Sequence, residues 1–580
     1  MGNALCYCRV RLAVPCRKHR IVRQIKFYRI FFHASLALNV LLQPGSASRA
    51  LASESLCMKR TCIQPDSACY ENPIIFSDYS DPDVIRVDDD FYLVSSSFNH
   101  VPGIPVLHSH DLLHWRIISH AVEVLPSPMY DRPQHGKGIW APSIRYHNDC
   151  FWIYYGDPDL GLFMVKSKHP TGPWQAPVLV KEAKGWIDPC PLWDEDGQAY
   201  LVHAWAKSRV GFNSILTVNK MSPDGKKILD EGITVFDGHA NHPTIEGPKF
   251  YKRNGRYYIF APAGGVKTGW QTVLRSRSIF GPYEDKIVLK QGKSPINGPH
   301  QGGWVELANG ESWFIHFQDR DAYGRIVHLQ PMSWQQDWPV IGSDPDGDGI
   351  GEPVARFRPP QTRKASANYY IPTSDQFTAK KLEGEWQWHG NVQPSWYKIN
   401  AGEGWLRLYA LAPCTGYRNL WDLISILGQK FPGEQFEAVT HMSLRGLSEG
   451  DRAGLVVFGT DYSALTVVRV EYKYLLQKSI CLEADQGNAE EILATVILSE
   501  SDIFLKVIVD RQALCSFSYS LDDIQYQSIG TSFTAKPGKW VGARIGLFAL
   551  AAEKILPGQG KVAAKSNRYA DFKFIRFRDR

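Results

Sequence analysis

From about residue 71 onward the chain is written in short apolar–polar alternations broken by Gly, Pro, Asn and Asp. Runs of this kind predict half-buried β-strands, and no helix-period stretch of useful length interrupts them. Val84-Ile85-Arg86-Val87, a turn at Asp88-Asp89-Asp90, and Phe91-Tyr92-Leu93-Val94-Ser95 predict a hairpin. A further strand follows at Val106-Leu107-His108-Ser109, and the unit ends at Trp115.

The plan then recurs. Trp140-Ala141-Pro142 leads into Phe151-Trp152-Ile153-Tyr154-Tyr155, and Asp188-Pro189 into Ala199-Tyr200-Leu201-Val202. Glu246-Gly247-Pro248 leads into Tyr257-Tyr258-Ile259-Phe260, and Gly298-Pro299-His300 into Ser312-Trp313-Phe314-Ile315-His316. About five copies at a spacing of roughly 45–60 residues are the signature of four-stranded propeller blades. The innermost strand of each blade lines a central channel, so the starts of the copies meet at one mouth. Asp81, Trp140, Asp188, Glu246 and His300 occupy that register.

A Pro-rich polar stretch, residues 359–373, predicts a linker after a propeller spanning 71–358. Ahead of it, Asp344-Pro345-Asp346-Gly347-Asp348-Gly349 begins like a calcium loop. The twelfth position of that motif falls on Ala355, which favours an Asp/Gly turn over a surface calcium site. Residues 374–580 alternate again, at Trp405–Tyr409, Ala453–Phe458, Phe504–Val509 and Ala543–Phe548. Their spacing predicts a jelly-roll β-sandwich, so the chain is expected to be all-β, a propeller followed by a sandwich.

Composition sharpens this in two respects. Aromatic residues make up 12% of the 580, a composition suited to stacking on sugar rings. The formal charge is +6, yet residues 1–60 carry eleven Lys/Arg against the single acid Glu54, which leaves the rest near −4. A nucleic-acid surface needs the opposite sign on the folded part and is excluded. Within residues 1–60, a basic run from Arg17 to Arg29 precedes the apolar Ile30–Leu42 and the small residues Gly45-Ser46-Ala47-Ser48. That layout predicts a secretory signal, hence a secreted or periplasmic protein with no membrane insertion of the mature chain; the alternative is an upstream extension. The scattered cysteines Cys150, Cys190, Cys414, Cys481 and Cys515 form no metal or redox motif and are expected as free thiols. Pairing among the eleven cysteines cannot be read from the sequence.

Three acids at strand starts carry the candidate chemistry. Glycoside hydrolysis needs one protonated carboxylic acid at the leaving oxygen and one ionised carboxylate. A third carboxylate raises the acid's pKa by like-charge repulsion. Asp81, Asp188 and Glu246 meet that requirement, against the plainer reading that Asp-Pro and Glu-Gly-Pro are turns.

The wording of residues 71–342 resembles glycoside hydrolase family 43, five-bladed propeller enzymes. It does so through Ser80-Asp81-Pro82-Asp83, Trp140-Ala141-Pro142-Ser143, Gly185-Trp186-Ile187-Asp188-Pro189, Ile245-Glu246-Gly247-Pro248, Gly298-Pro299-His300-Gln301 and Trp338-Pro339-Val340. The resemblance implies an inverting, exo-acting hydrolase for terminal β-D-xylosyl or α-L-arabinofuranosyl residues of hemicellulose-derived oligosaccharides. Asp81 would be general base, Glu246 general acid and Asp188 pKa modulator, with Asp83 structural. Trp140, Arg325 and Phe98 would contact substrate, although Trp140 also reads as blade core. No cofactor is implied for the chemistry. His300 would lie beside a structural calcium ion, while His316 and His328 read as satisfied core residues.

The second half resembles the β-sandwich of family 43 β-xylosidases, through Trp386-Gln387-Trp388, Gly404-Trp405-Leu406-Arg407-Leu408 and Gly454-Leu455-Val456-Val457-Phe458-Gly459. A loop from it would close one side of the site; an independent carbohydrate-binding module is the competing expectation. Two other functions remain as alternatives, a propeller lectin without catalysis and a retaining fructan-cleaving propeller. The motifs of the latter are absent. Nothing in the sequence fixes the choice between xylose and arabinose or the oligomeric state.

Overall fold

The computed structural model describes residues 69–552 and 567–580. The expected leader lies outside them, as do Cys57 and Cys62.

Among the described residues, five four-stranded antiparallel sheets follow one another as blades. Their first strands are Asp83–Val87, Trp140–His147, Trp186–Trp193, Lys249–Arg253 and His300–Glu306, and in every blade the strands pair in sequence order. Such meanders need only short hairpins, which the Asp/Asn/Gly turns supply. Middle strands such as Cys150–Asp157 are buried almost throughout, because neighbouring blades cover both of their faces. The segment ahead of the first blade closes the ring. Ile75 pairs with Val327 of the fifth blade, and the Tyr79 amide donates to the Arg325 carbonyl.

The blade starts share a backbone device. Asp81, Ala141, Asp188, Gly247 and Gln301 all have positive φ, between 32° and 57°. Four of these five precede a proline, and the paired register shifts at this point in the second, third and fifth blades. A left-handed non-glycine residue is strained, and bulges re-aim side chains next to functional sites. The device corrects the sequence register. Asp81 and Asp188 stand on the left-handed position itself, whereas Trp140, Glu246 and His300 come one residue before it. The acids therefore approach the mouth from two different backbone positions.

From residue 374 on, the described residues form a sandwich of a seven-stranded and an eight-stranded sheet. Strands expected from alternation are found at Trp405–Tyr409, Arg452–Phe458, Asp502–Val509 and Arg544–Leu550. Along Asp502–Val509 every second residue is buried, the signature of a sheet with one face on a core.

Propeller and sandwich belong to one compact unit. Val101 and Trp388 exchange backbone hydrogen bonds, Asn99 Nδ2 donates to the His389 carbonyl, and Gln387 Nε2 donates to the Pro102 carbonyl. One apolar core runs from Val101, Ile104 and Ile139 of the propeller to Trp386, Leu427 and Ile545 of the sandwich. The five scattered cysteines are free thiols, with Cys190, Cys481 and Cys515 buried.

Candidate active site

Asp81 is 4% exposed and held from two sides. Ser96 Oγ donates to its Oδ2 at 2.6 Å, and Arg325 Nη1 to its Oδ1 at 3.0 Å. The same serine oxygen accepts the Ala141 amide at 2.7 Å, so one hydroxyl ties the first blade's carboxylate to the second blade's start. Arg325 is positioned in turn by Asp78, whose Oδ1 accepts its backbone amide at 2.9 Å.

Asp188 is 2% exposed, and its Oδ2 accepts the Gly247 amide at 2.8 Å and Gln301 Nε2 at 3.4 Å. Burial, then the charges of Glu246 and Asp81, hold its pKa well above the usual carboxylate value. Like-charge coupling between the acids is thus present, and it is registered on the most buried member. The Gly247 amide donor and Lys249 act in the opposite direction without cancelling it.

Glu246 is the accessible acid, its side chain 32% exposed. Its backbone amide donates to the Pro262 carbonyl, and its Oε1 lies 2.9 Å from His300 Nε2. Gly247, with φ of 57°, follows it. A Cβ there would come within 2.5 Å of the Gln301 side chain, so a glycine is needed both for the turn and for packing.

Aromatic residues frame these acids. Trp140 is half-buried, anchored by its Nε1 donating to the Gly136 carbonyl, and meets Phe98 and Trp540 edge-on with ring centroids at 6.2 and 5.9 Å. Phe98 is only 3% exposed and backs Trp140. Trp540 comes from the sandwich, is half exposed, and lies 6.0 Å from the Arg325 guanidinium. Its loop is fastened to the propeller by the Gly542 amide on Asp78 Oδ2 and the Ala543 amide on the Ala322 carbonyl.

Asp83 takes no part in this group. Its Oδ2 accepts the Ile144 amide and Arg145 Nη1, and Lys249 Nζ lies 4.0 Å away. This is the structural role expected for it. His316 and His328 are fully buried and hydrogen-bonded to Gln330 and Gln318.

A calcium ion takes six to eight oxygen ligands. His300 has Nε2 on Glu246 and Nδ1 buried without a partner. Among the described residues it joins no group of three side chains able to ligate a metal. Glu246 is the one carboxylate bonded to His300 among the described residues, so side chains alone build no calcium cage there. Asp344, Asp346 and Asp348 do cluster, but Asp344 accepts the Gly347 and Gly349 amides, as an Asp/Gly turn requires.

Sequence reasoning missed Ser96, Gln301, Asp78 and Trp540. Gln301 carried a signal, since it directly follows His300 in the quoted motif. Ser96 and Trp540 carried none, because a serine in the loop after strand Asp90–Val94 and a sandwich loop reach the mouth only through tertiary folding.

Residues 70–339 match the glycosyl hydrolases family 43, and residues 374–578 match the beta xylosidase C-terminal Concanavalin A-like domain. A putative beta-xylosidase of Xylanibacter ruminicola is 41% identical over 493 residues, 84% of this chain and 88% of that protein. A non-reducing end alpha-L-arabinofuranosidase of Bacteroides ovatus is 30% identical over 457 residues, 74% of this chain and 82% of that protein. Among solved structures, the Bacteroides ovatus xyloglucan-locus GH43B has a TM-score of 0.74 at 25% identity, covering 88% of this chain and 100% of that one.

Proposed function

Because this chain belongs to glycosyl hydrolases family 43, we propose that it is an exo-acting, inverting β-xylosidase. It would remove terminal β-D-xylosyl residues, with α-L-arabinofuranosyl residues as the second substrate, from hemicellulose-derived oligosaccharides. The observation that carries this is the division of labour among three acids. Asp81 and Asp188 are buried on left-handed blade starts, whereas Glu246 is open and bound by His300.

Roles follow from those surroundings. Glu246, the one accessible carboxyl, is the general acid that protonates the leaving oxygen. Asp81, fixed by Ser96 and Arg325, is the base that takes a proton from the attacking water. Asp188 is the modulator. Its raised pKa means that the group of acids retains a proton where a lone carboxylate would have released it, and such a proton belongs to the interacting set. Glu246 is the member able to pass it to substrate. Trp140, backed by Phe98, walls the sugar site, and Trp540 closes it from the sandwich side, as suits short substrates.

Chemistry in this family needs no cofactor. No step runs through an ion at His300, whose contacts suit orienting Glu246. The N-terminal layout supports export, and an oligosaccharide carried in solution requires no partner in a membrane. Among the described residues no helix is long and apolar enough to cross one.

Proton NMR during hydrolysis of an aryl β-xyloside tests the proposal. The α-anomer of xylose is expected as first product, and retention of configuration would overturn the three-acid assignment. Binding of xylo-oligosaccharides without turnover would favour a lectin.

A further inference from the structure

Beside the proposed site, a cavity of ≈ 440 Å³ opens along the seam between propeller and sandwich. Arg132, His135 and Lys137 of the propeller line one side; Arg418, Trp421, Asp422, Asp485 and Lys539 of the sandwich line the other. Both walls continue into the active centre. Gly136 carries the carbonyl that anchors Trp140, and a Cβ on it would come within 2.6 Å of Lys539 and 3.0 Å of Trp540. Lys539 immediately precedes Trp540.

The charge in this cavity is unbalanced. Arg418 is neutralised by both oxygens of Asp422, at 2.9 Å each. Arg132, Lys137 and Lys539 have no ion pair or hydrogen bond from their side chains among the described residues. Against these three stands Asp485, whose Oδ2 accepts Gln486 Nε2. His135 does not add charge, since burial lowers its pKa to about 4 and its Nε2 donates to the Trp421 carbonyl. Ionised side chains around one concavity therefore sum to about +2, on a chain that is otherwise near −4 outside its first sixty residues. Arg132 and Lys539 are exposed and Lys137 is half-buried, and unpaired cations lining one cleft attract an anion.

We infer that this cavity is a subsite for the carboxylate of an acidic sugar on the leaving-group side of the substrate. The ligand class is a short β-xylo-oligosaccharide bearing a uronate branch. This rests on the proposed glycosidase activity, because Gly136 and Lys539 join the walls of the seam to Trp140 and Trp540. The three unpaired cations would bind the branch, while the neutral main chain is held by the aromatic walls.

Calorimetry decides it, with Glu246→Gln protein so that ligand survives. Neutral xylotriose, xylotriose carrying one glucuronate, and glucuronic acid alone are the three ligands. At low ionic strength the acidic trisaccharide should bind about 5- to 30-fold tighter than the neutral one, as one or two charge-assisted contacts provide. The margin should shrink as salt screens the cations. Adding Arg132→Ala, Lys137→Ala and Lys539→Ala together should abolish the preference and leave the neutral affinity, while in wild-type background the triple variant leaves aryl-xyloside turnover unchanged. Equal binding of the two trisaccharides, or a preference that survives the three substitutions, overturns the inference. Tight binding of glucuronic acid alone would make this an anion site unconnected to substrate and also overturn it. Failure of the glycosidase proposal would show itself separately, as no xyloside turnover by the wild type.

Discussion

His300 holds Glu246. Its Nε2 lies 2.9 Å from the glutamate's Oε1, while its Nδ1 is buried with no partner. The bond to Oε1 is the contact through which the imidazole orients the carboxyl. Its ring is further fixed against Phe317, with centroids 5.6 Å apart.

His300→Ala is therefore expected to lower kcat on aryl β-xyloside about 10- to 100-fold, the rate equivalent of one hydrogen bond to a charged group. KM should change little, because the sugar walls are untouched. Steady-state kinetics check it, and a drop confined to KM would contradict the orienting role. Chelator treatment should leave wild-type activity intact, since His300 reaches Glu246 directly and the orienting bond needs no ion.

Asp188 gives a pH prediction with a definite sign. Burial, followed by Glu246 and Asp81, raises its pKa above the ordinary 3.8. The folded protein then holds this proton more tightly than the unfolded chain does, so stability is lost as pH rises from the unfolded value through the folded one. Asp188→Asn removes that loss and keeps an oxygen to accept the Gly247 amide. At pH 7 the variant should melt about 1–2 °C higher, the scale of 1 kcal/mol in a unit of this size. The gain should vanish below about pH 4, near the unfolded carboxylate range. Its kcat should fall about 10²-fold, a typical acid–base contribution. A variant that melts lower at neutral pH would contradict the burial argument.

The architecture was legible because both of its periods are local. Alternation marks strands, and the repeated X-Pro blade start marks the interval between blades; Asp81, Asp188 and Glu246 each carry such a start. What stayed hidden depended on residues distant in sequence. The one-residue offset between Glu246 and Asp188 arises from positive φ at Asp188 and Gly247, which residue types alone disclose only for the glycine. Trp540 reaches Trp140 across 400 residues, and no spacing rule connects them. His300 was recognisable as a channel residue, but its engagement with Glu246 is a matter of side-chain geometry.

Ser96 is the link between two blades at the site. Its hydroxyl donates to Asp81 and accepts the Ala141 amide, and it is 4% exposed. Ser96→Ala leaves the amide buried without an acceptor, at a cost of about 1–3 kcal/mol. Differential scanning calorimetry should show the lower melting point, and kcat should fall with it because Asp81 loses one of its two fixed donors. A stability loss with unchanged kcat would confine Ser96 to a structural role.

The sandwich acts on the site through Trp540, and Gly542 provides the means of testing this without touching the ring. A Cβ on Gly542 would stand 2.7 Å from the Gly324 nitrogen and 2.8 Å from the Tyr323 carbonyl carbon, backbone atoms that cannot swing aside. Gly542→Ala must push the loop off the propeller and strain its bond to Asp78. Trp540→Ala should reduce kcat/KM on xylobiose about 2- to 10-fold, the equivalent of one aromatic contact. Gly542→Ala should produce a loss of the same order. If the glycine acts by positioning the tryptophan, the double variant loses no more than the worse single one. Additive losses would mean that the two residues act independently, with the loop contributing to the site by a route other than its ring.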